Sequence, residues 1–185
     1  MKFSAIISII SLTLTSAPVF SDRYENLFPP EWVVEQTPLE LKGVSKLTVG
    51  YVFDVYVAAF YQPEDRGPVD ALSDLPRHLE IHYLRNISKS DFIDAAEDML
   101  SKQHSPEEIA TIRDEITQIN QSYQDVKKGD RYSLTYLPGY GTELKFNGAT
   151  KAVIPGSDFA QIYFSIWLGE KSPYLKFRNK LIGLP

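Results

Sequence analysis

The chain contains no cysteine. That absence removes disulfides, thiolate metal sites, thiol catalysis and lipid modification of an N-terminal cysteine together. Histidine is nearly as scarce. His78 and His82 lie four residues apart on one strand face, too far to share a metal ion in an extended chain, and His104 stands alone, so surface roles are expected for all three. There is no glycine-rich phosphate loop, nucleophile elbow or pair of metal-binding carboxylates. No metal, no cofactor and no catalytic residue is therefore expected. Positive charge is also in deficit: 19 Lys and Arg face 24 Asp and Glu, for a net charge of −5. An acidic domain without a basic cluster repels nucleic acid at long range. Long apolar runs are limited to one, at the start of the chain.

That run, Phe3 to Leu14, follows Met1-Lys2 and is broken only by Ser and Thr. It is shorter than the roughly 20 residues a bilayer-spanning helix needs. A short positive start, an apolar stretch and a small-residue exit form the pattern of a secretory signal. Pro18 disfavours a cut after Ala17, whereas Val19-Phe20-Ser21 has suitable spacing. Residues 1–21 are expected as a signal peptide, with the mature chain starting at Asp22 in the periplasm or outside the cell. An uncleaved N-terminal anchor is the alternative. Removing the leader takes away only one charge, Lys2. The remaining roughly 160 residues suffice to bury about 70% of the unfolded surface in one domain without disulfides.

Residues 22–38, with Pro29-Pro30 and Pro38, read as an N-terminal arm, and residues 39–185 as the domain. Leu39–Lys46 and Leu47–Tyr61 read as strands. The second is rich in β-branched and aromatic residues and apolar on both faces, which predicts a central strand covered on two sides. Asp70–Leu75 suggests a helical turn and His78–Arg85 another strand, with Leu79, Ile81 and Tyr83 on one face. Ser88 or Ser90 precedes an amphipathic stripe of Phe92, Ala95, Ala96, Met99 and Leu100. Ser105-Pro106-Glu107-Glu108 carries an N-cap, a first-turn proline and a capping box, followed by Ile109, Ile112, Ile116 and Ile119. The period then returns to two in Tyr132–Tyr136, Thr142–Phe146 and Lys151–Ile154, the last two joined by Asn147-Gly148, a two-residue hairpin signal. Asp158–Leu168 is apolar on nearly every side and predicts an enclosed helix. A last amphipathic helix runs from Ser172-Pro173 to Leu181. This order predicts an α+β fold, an antiparallel β-sheet with helices packed on one face.

Asp54 is the anomaly in the apolar strand. A lone buried carboxylate is costly, so it must be paired, protonated or near water. Arg85, at the end of the next strand, is the expected partner, with the Tyr56 hydroxyl nearby. Such a pair would either fix strand register or anchor the end of an apolar pocket.

Several blocks occur together in order: Asp54-Val55-Tyr56-Val57-Ala58-Ala59-Phe60-Tyr61, Tyr83-Leu84-Arg85-Asn86-Ile87-Ser88, Val126-Lys127-Lys128-Gly129-Asp130-Arg131, Tyr136-Leu137-Pro138-Gly139-Tyr140-Gly141-Thr142, and Asp158-Phe159-Ala160 with Ile166-Trp167-Leu168-Gly169. From about Leu39 to Leu184 the chain resembles bacterial chalcone isomerase-like proteins. The resemblance implies an open-faced sandwich with a ligand cleft between sheet and helices. Plant chalcone isomerases close a flavonoid ring with an arginine and Thr, Tyr and Asn side chains, and related plant proteins bind fatty acids through an arginine and a tyrosine. The plant arginine falls near Ser45-Lys46 here; the other positions fall on Tyr56, Phe92, Met99 and Ile166. None of the plant catalytic residues is matched.

The expected function is thus an exported, non-catalytic domain that binds a fatty-acid-like or other small apolar or amphipathic ligand. Tyr56, Phe92, Met99 and Ile166 would line the slot, Asp54 and Arg85 would form its polar end, and Arg85 or Lys46 would supply a positive group. One alternative is an isomerase or intramolecular lyase acting on a small phenolic, with Tyr56 and Asp54 as acid and base. Another is a structural partner in an envelope complex.

Overall fold

The computed structural model of the chain describes Tyr24, residues 26–50 and residues 52–185. The expected signal peptide, residues 1–21, lies outside the described residues. Seven strands form one antiparallel sheet in which each strand pairs with its neighbour in sequence: β1 (Glu31–Val34), β2 (Thr37–Val49), β3 (Phe53–Gln62), β4 (Arg77–Tyr83), β5 (Arg131–Leu137), β6 (Gly141–Phe146) and β7 (Ala149–Ile154). Between β4 and β5 come α1 (Lys89–Gln103), α2 (Pro106–Ala110) and α3 (Arg113–Ser122); α4 (Ser157–Leu168) and α5 (Leu175–Leu181) follow β7. The α+β architecture with helices on one face is the one the sequence predicts.

Alternation on the strands sorts side chains between two faces. The helix-covered face carries Tyr56, Ala58 and Phe60 of β3, Leu79, Ile81 and Tyr83 of β4, and Tyr132, Leu134 and Tyr136 of β5, all in one core with α4. The α4 helix is enclosed as expected, with every residue from Tyr163 to Leu168 buried. Each such large apolar side chain contributes about 1.5–3 kcal/mol by leaving water. On the opposite face Val57, Ala59 and Tyr61 are also fully buried, beneath Phe28, Trp32, Leu39 and Val44. The central strand is therefore covered on both sides, by helices on one and by the chain's own N-terminal segment on the other.

Three sequence expectations need correction. The segment read as an arm contributes Glu31–Val34 as strand β1, paired with β2. Pro29 and Pro30 precede β1, and Pro38 lies in β2 opposite Val33. The single strand expected over Leu47–Tyr61 is a hairpin: β2 runs on to Val49 and turns at Gly50, whose φ of 56° suits glycine, before β3 returns. The β-propensity of the run hid this turn, and only the lone glycine marked it. The helix expected after Ser105 breaks at Thr111-Ile112, where backbone bonds tighten to i→i−3 at Glu108 and Ile109. Ile112, Ile116 and Ile119 still face the core.

Local signals elsewhere match the chain's geometry. Ser88 accepts a bond from the Asp91 N–H, and Ser105 and Glu108 form the reciprocal capping box. Each cap contributes about 1 kcal/mol. Asn147 and Gly148, with φ of 47° and 81°, make the two-residue turn between β6 and β7.

Candidate functional site

An apolar cavity of about 230 Å³ lies between the sheet and helices α1, α4 and α5. Its floor is Leu47 of β2, Val55 and Tyr56 of β3, and Tyr83 of β4. Its walls are Ile87, Phe92, Ala96 and Met99 from α1 and the segment before it, Ile166 and Trp167 from α4, and Phe177 from α5. The i, i+3, i+4, i+7 spacing of Phe92, Ala95, Ala96 and Met99 turns one stripe of α1 toward the cavity. Asp91, Asp98, Lys102, Ser172 and Tyr174 also line it. The volume falls below the roughly 300–1,000 Å³ of drug-sized sites, so it suits a small molecule or the tail of a larger one.

Rings pack edge to face around this space. Tyr56 meets Tyr83 at 5.9 Å and Phe177 at 5.8 Å between centroids. Phe92 lies 6.3 Å from Tyr83 and 4.5 Å from Tyr123, linking the cavity wall to the deeper aromatic core. Such contacts add about 0.5–1.5 kcal/mol each beyond burial and keep the wall rigid.

Polar atoms near the cavity divide sharply. The hydroxyls of Tyr123 and Tyr163 bond each other at 2.9 Å, the Tyr132 hydroxyl accepts the Gln124 N–H at 3.0 Å, and the Tyr136 hydroxyl donates to Asp74. The Tyr83 hydroxyl, on a fully buried side chain that lines the cavity, has no partner among the described residues. Leaving a buried hydroxyl unsatisfied costs about 1–3 kcal/mol. Burial, and secondarily the neighbouring Tyr56 and Tyr132 hydroxyls, push the Tyr83 phenol well above its ordinary value. Burial likewise raises Tyr56, with the Trp167 side chain working the other way. Both remain neutral hydroxyls throughout the physiological range.

The structure brings together Tyr56, Phe92, Met99 and Ile166 on the cavity wall. It leaves out Asp54 and Arg85. The expected Asp54–Arg85 pair does not form: Asp54 accepts bonds from Lys46 Nζ and Thr48 Oγ1, both at 2.7 Å, and these hold its carboxyl below the usual range. Arg85 is exposed, with its guanidinium 5.3 Å from the Phe53 ring. Lys46 pairs across the ladder with Val57, on the face opposite the cavity, so it supplies no positive group there either. The β2–β3 turn at Gly50 explains the error. It places Lys46, not Arg85, beside Asp54 on the adjoining strand.

Tyr83 is the residue that sequence reasoning left in the core. Its alternation with Leu79 and Ile81 was legible, but the missing hydroxyl partner was not. Leu47, Trp167 and Phe177 also line the cavity, and nothing in their local spacing separates them from ordinary core.

Of the histidines, His78 is not at the surface, while His82 and His104 are half-buried. His78 is buried, bonds Thr135 Oγ1 through Nδ1 at 2.8 Å, and stands 3.9 Å from Glu80, which is held by Arg131. His104 bonds Ser165 Oγ at 2.8 Å. Both are structural ties that a pattern of strand alternation does not reveal.

A profile described as chalcone isomerase-like matches residues 25–183. The chain belongs to the chalcone isomerase-like family. The match begins ahead of β1, so the N-terminal segment is part of this chalcone isomerase-like domain and not an appendage to it. Among solved structures, the domain is similar to a fatty-acid binding protein of Arabidopsis thaliana, with a TM-score of 0.62 and 12% identity over 84% of this chain and 91% of that one. At that identity the likeness concerns the fold. No curated protein sequence matches the chain.

Proposed function

We propose that this chalcone isomerase-like domain binds a small apolar or amphipathic ligand in the cavity between sheet and helices, without transforming it. The observation that carries the reading is the apolar cleft walled by Tyr56, Phe92, Met99 and Ile166, with the buried, unpartnered Tyr83 hydroxyl on a residue of its floor. The similar Arabidopsis thaliana protein is a fatty-acid binding protein, which supports an elongated ligand in the same fold. Binding without turnover is supported by the lining itself. Tyr56 and Tyr83 are raised by burial and are poor proton donors or acceptors near neutral pH, and Asp54, the expected base, lies away from the cavity.

We further propose that the protein works outside the cytoplasm after cleavage near Ser21, as Met1-Lys2 and the apolar run behind it suggest. Among the described residues no helix is long and apolar enough to cross a membrane.

Native mass spectrometry of protein purified from its own host tests the proposal. A bound lipid-sized mass, released on denaturation, is the expected result. Protein that is consistently empty, and stays empty after incubation with an apolar ligand panel, would leave a scaffold in an envelope complex as the better reading. Turnover of a chalcone above the uncatalysed rate would return the isomerase reading.

A further inference from the structure

The cavity lacks the group an anionic ligand needs. The positive charge nearest its lining is Lys102, exposed at the rim and already paired with Asp98; Asp91 stands at the same rim. Lys46 and Arg85 are engaged elsewhere, with Asp54 and over the Phe53 ring. A carboxylate head would therefore meet two carboxylates and one neutralised lysine, and deeper in the cavity no described side chain carries positive charge. Bringing an anion into such surroundings is disfavoured.

The cavity floor carries two tyrosines, Tyr56 and Tyr83, and of these the Tyr83 hydroxyl is sealed from solvent without a partner. Tyr123, Tyr163, Tyr132 and Tyr136 all have partners for theirs, whereas the Tyr83 hydroxyl has none. Resting on the binding reading above, we propose that the site takes an uncharged chain-like molecule bearing one oxygen function (an alcohol, ester, aldehyde or ketone), whose oxygen accepts a hydrogen bond from Tyr83 while its hydrocarbon lies along Phe92, Met99 and Ile166. Tyr83 reads the oxygen, and the acidic rim selects against the free acid. Burial keeps the phenol protonated, so the donor is present throughout the physiological range.

Isothermal titration calorimetry at pH 8 with 1-decanol, methyl decanoate and decanoate separates the possibilities. The alcohol and ester are expected to bind about tenfold or more tighter than the ionised acid. Tyr83→Phe should weaken both neutral ligands by about threefold to tenfold and leave decane binding unchanged. If decanoate binds as tightly as the neutral ligands or tighter, the preference for uncharged ligands is wrong, although the cavity is still a binding site. If none of the ligands binds, including decane, the inference falls together with the binding reading. Neutral preference that survives Tyr83→Phe intact would overturn Tyr83 as the recognising group. Should that variant fail to fold, the wild-type ranking of the three ligands decides.

Discussion

The indole of Trp32 lies flat on the imidazole of His78, with centroids 4.3 Å apart and planes within 9° of parallel. Trp32 belongs to the short edge strand β1, and His78 to the centre of the sheet. The stack is thus a clasp that holds the N-terminal segment over the face opposite the cavity. Two further ties reinforce it: the Tyr61 hydroxyl donates to the Pro29 carbonyl at 2.9 Å, and Arg131 donates to the Leu27 carbonyl at 3.1 Å.

Acid should loosen this clasp. Burial holds the His78 imidazole below its ordinary value, outweighing the nearby Glu80 carboxylate. In the unfolded chain the same imidazole takes a proton near 6.5. Between those two values the unfolded state binds more protons, so the contribution of His78 is complete above about pH 6.5 and declines as pH falls through it. Urea denaturation at pH 7.5, 6 and 5 should show falling stability in wild type and a flatter profile in His78→Gln. Equal slopes would assign the acid sensitivity to other groups.

Trp32→Ala should cost about 2 kcal/mol. The side chain is half-buried against Tyr61 and His78, so the loss falls below the roughly 3–5 kcal/mol of a fully buried tryptophan. Limited proteolysis should then cut first between residues 26 and 36. Resistance there equal to wild type would mean that β1 is held by its ladder bonds alone.

Tyr83→Phe should not destabilise the empty protein, and it should gain up to about 1 kcal/mol, because it removes an unsatisfied buried hydroxyl and keeps the ring. Thermal unfolding measures this directly. A loss above about 1 kcal/mol would reveal a hidden partner for the hydroxyl, such as a trapped water.

Gly43→Ala should damage the cavity from a distance. A Cβ on Gly43 would stand 2.1 Å from the Lys180 carbonyl oxygen and 2.8 Å from that of Leu181. The end of α5 must then move away from β2, at about 1–3 kcal/mol, and Phe177 on the cavity wall moves with it. Lower melting temperature together with weaker ligand loading is expected. Unchanged loading would show that α5 is not needed to shape the wall.

Met99→Trp fills the cavity from its α1 side. Binding in titration calorimetry should be lost while stability changes by no more than about 1 kcal/mol, since Met99 is only partly buried. Retained binding would place the ligand elsewhere.

Legibility in the sequence followed the range of the interaction. Caps at Ser88 and Ser105, the Asn147-Gly148 turn and the enclosed α4 helix are set within a few residues, and each could be read in place. Tyr56, Phe92, Met99 and Ile166 meet at one cavity, but they were singled out through family resemblance, since helical or strand spacing alone marks them as core. The charged partners were misread because pairing across strands depends on register. One turn at Gly50 exchanges Arg85 for Lys46 beside Asp54. His78, polar and scarce, read as surface because its cover, Trp32, lies in a proline-rich stretch whose four-residue strand has too little periodicity to announce itself.

The order of the strands also sets an order of assembly. Every pairing in the sheet joins consecutive strands, and four are closed by tight turns; β3 and β4 are joined by residues 63–76, and the longest connection, between β4 and β5, spans residues 84–130 and their three helices. Closing that long loop carries the largest entropic cost in the sheet, so the β2–β3–β4 and β5–β6–β7 meanders are expected to be protected early in pulsed hydrogen exchange, and the β4–β5 ladder late. Tyr83 ends β4 and faces Tyr132 of β5 at 6.2 Å. The cavity floor therefore forms with the β2–β3–β4 meander, whereas one wall comes from α1, inside the long loop, and others from α4 and α5 after β7; the pocket is complete only when the slow joint closes, and a ligand that occupies it would act as a folding template as well as a cargo.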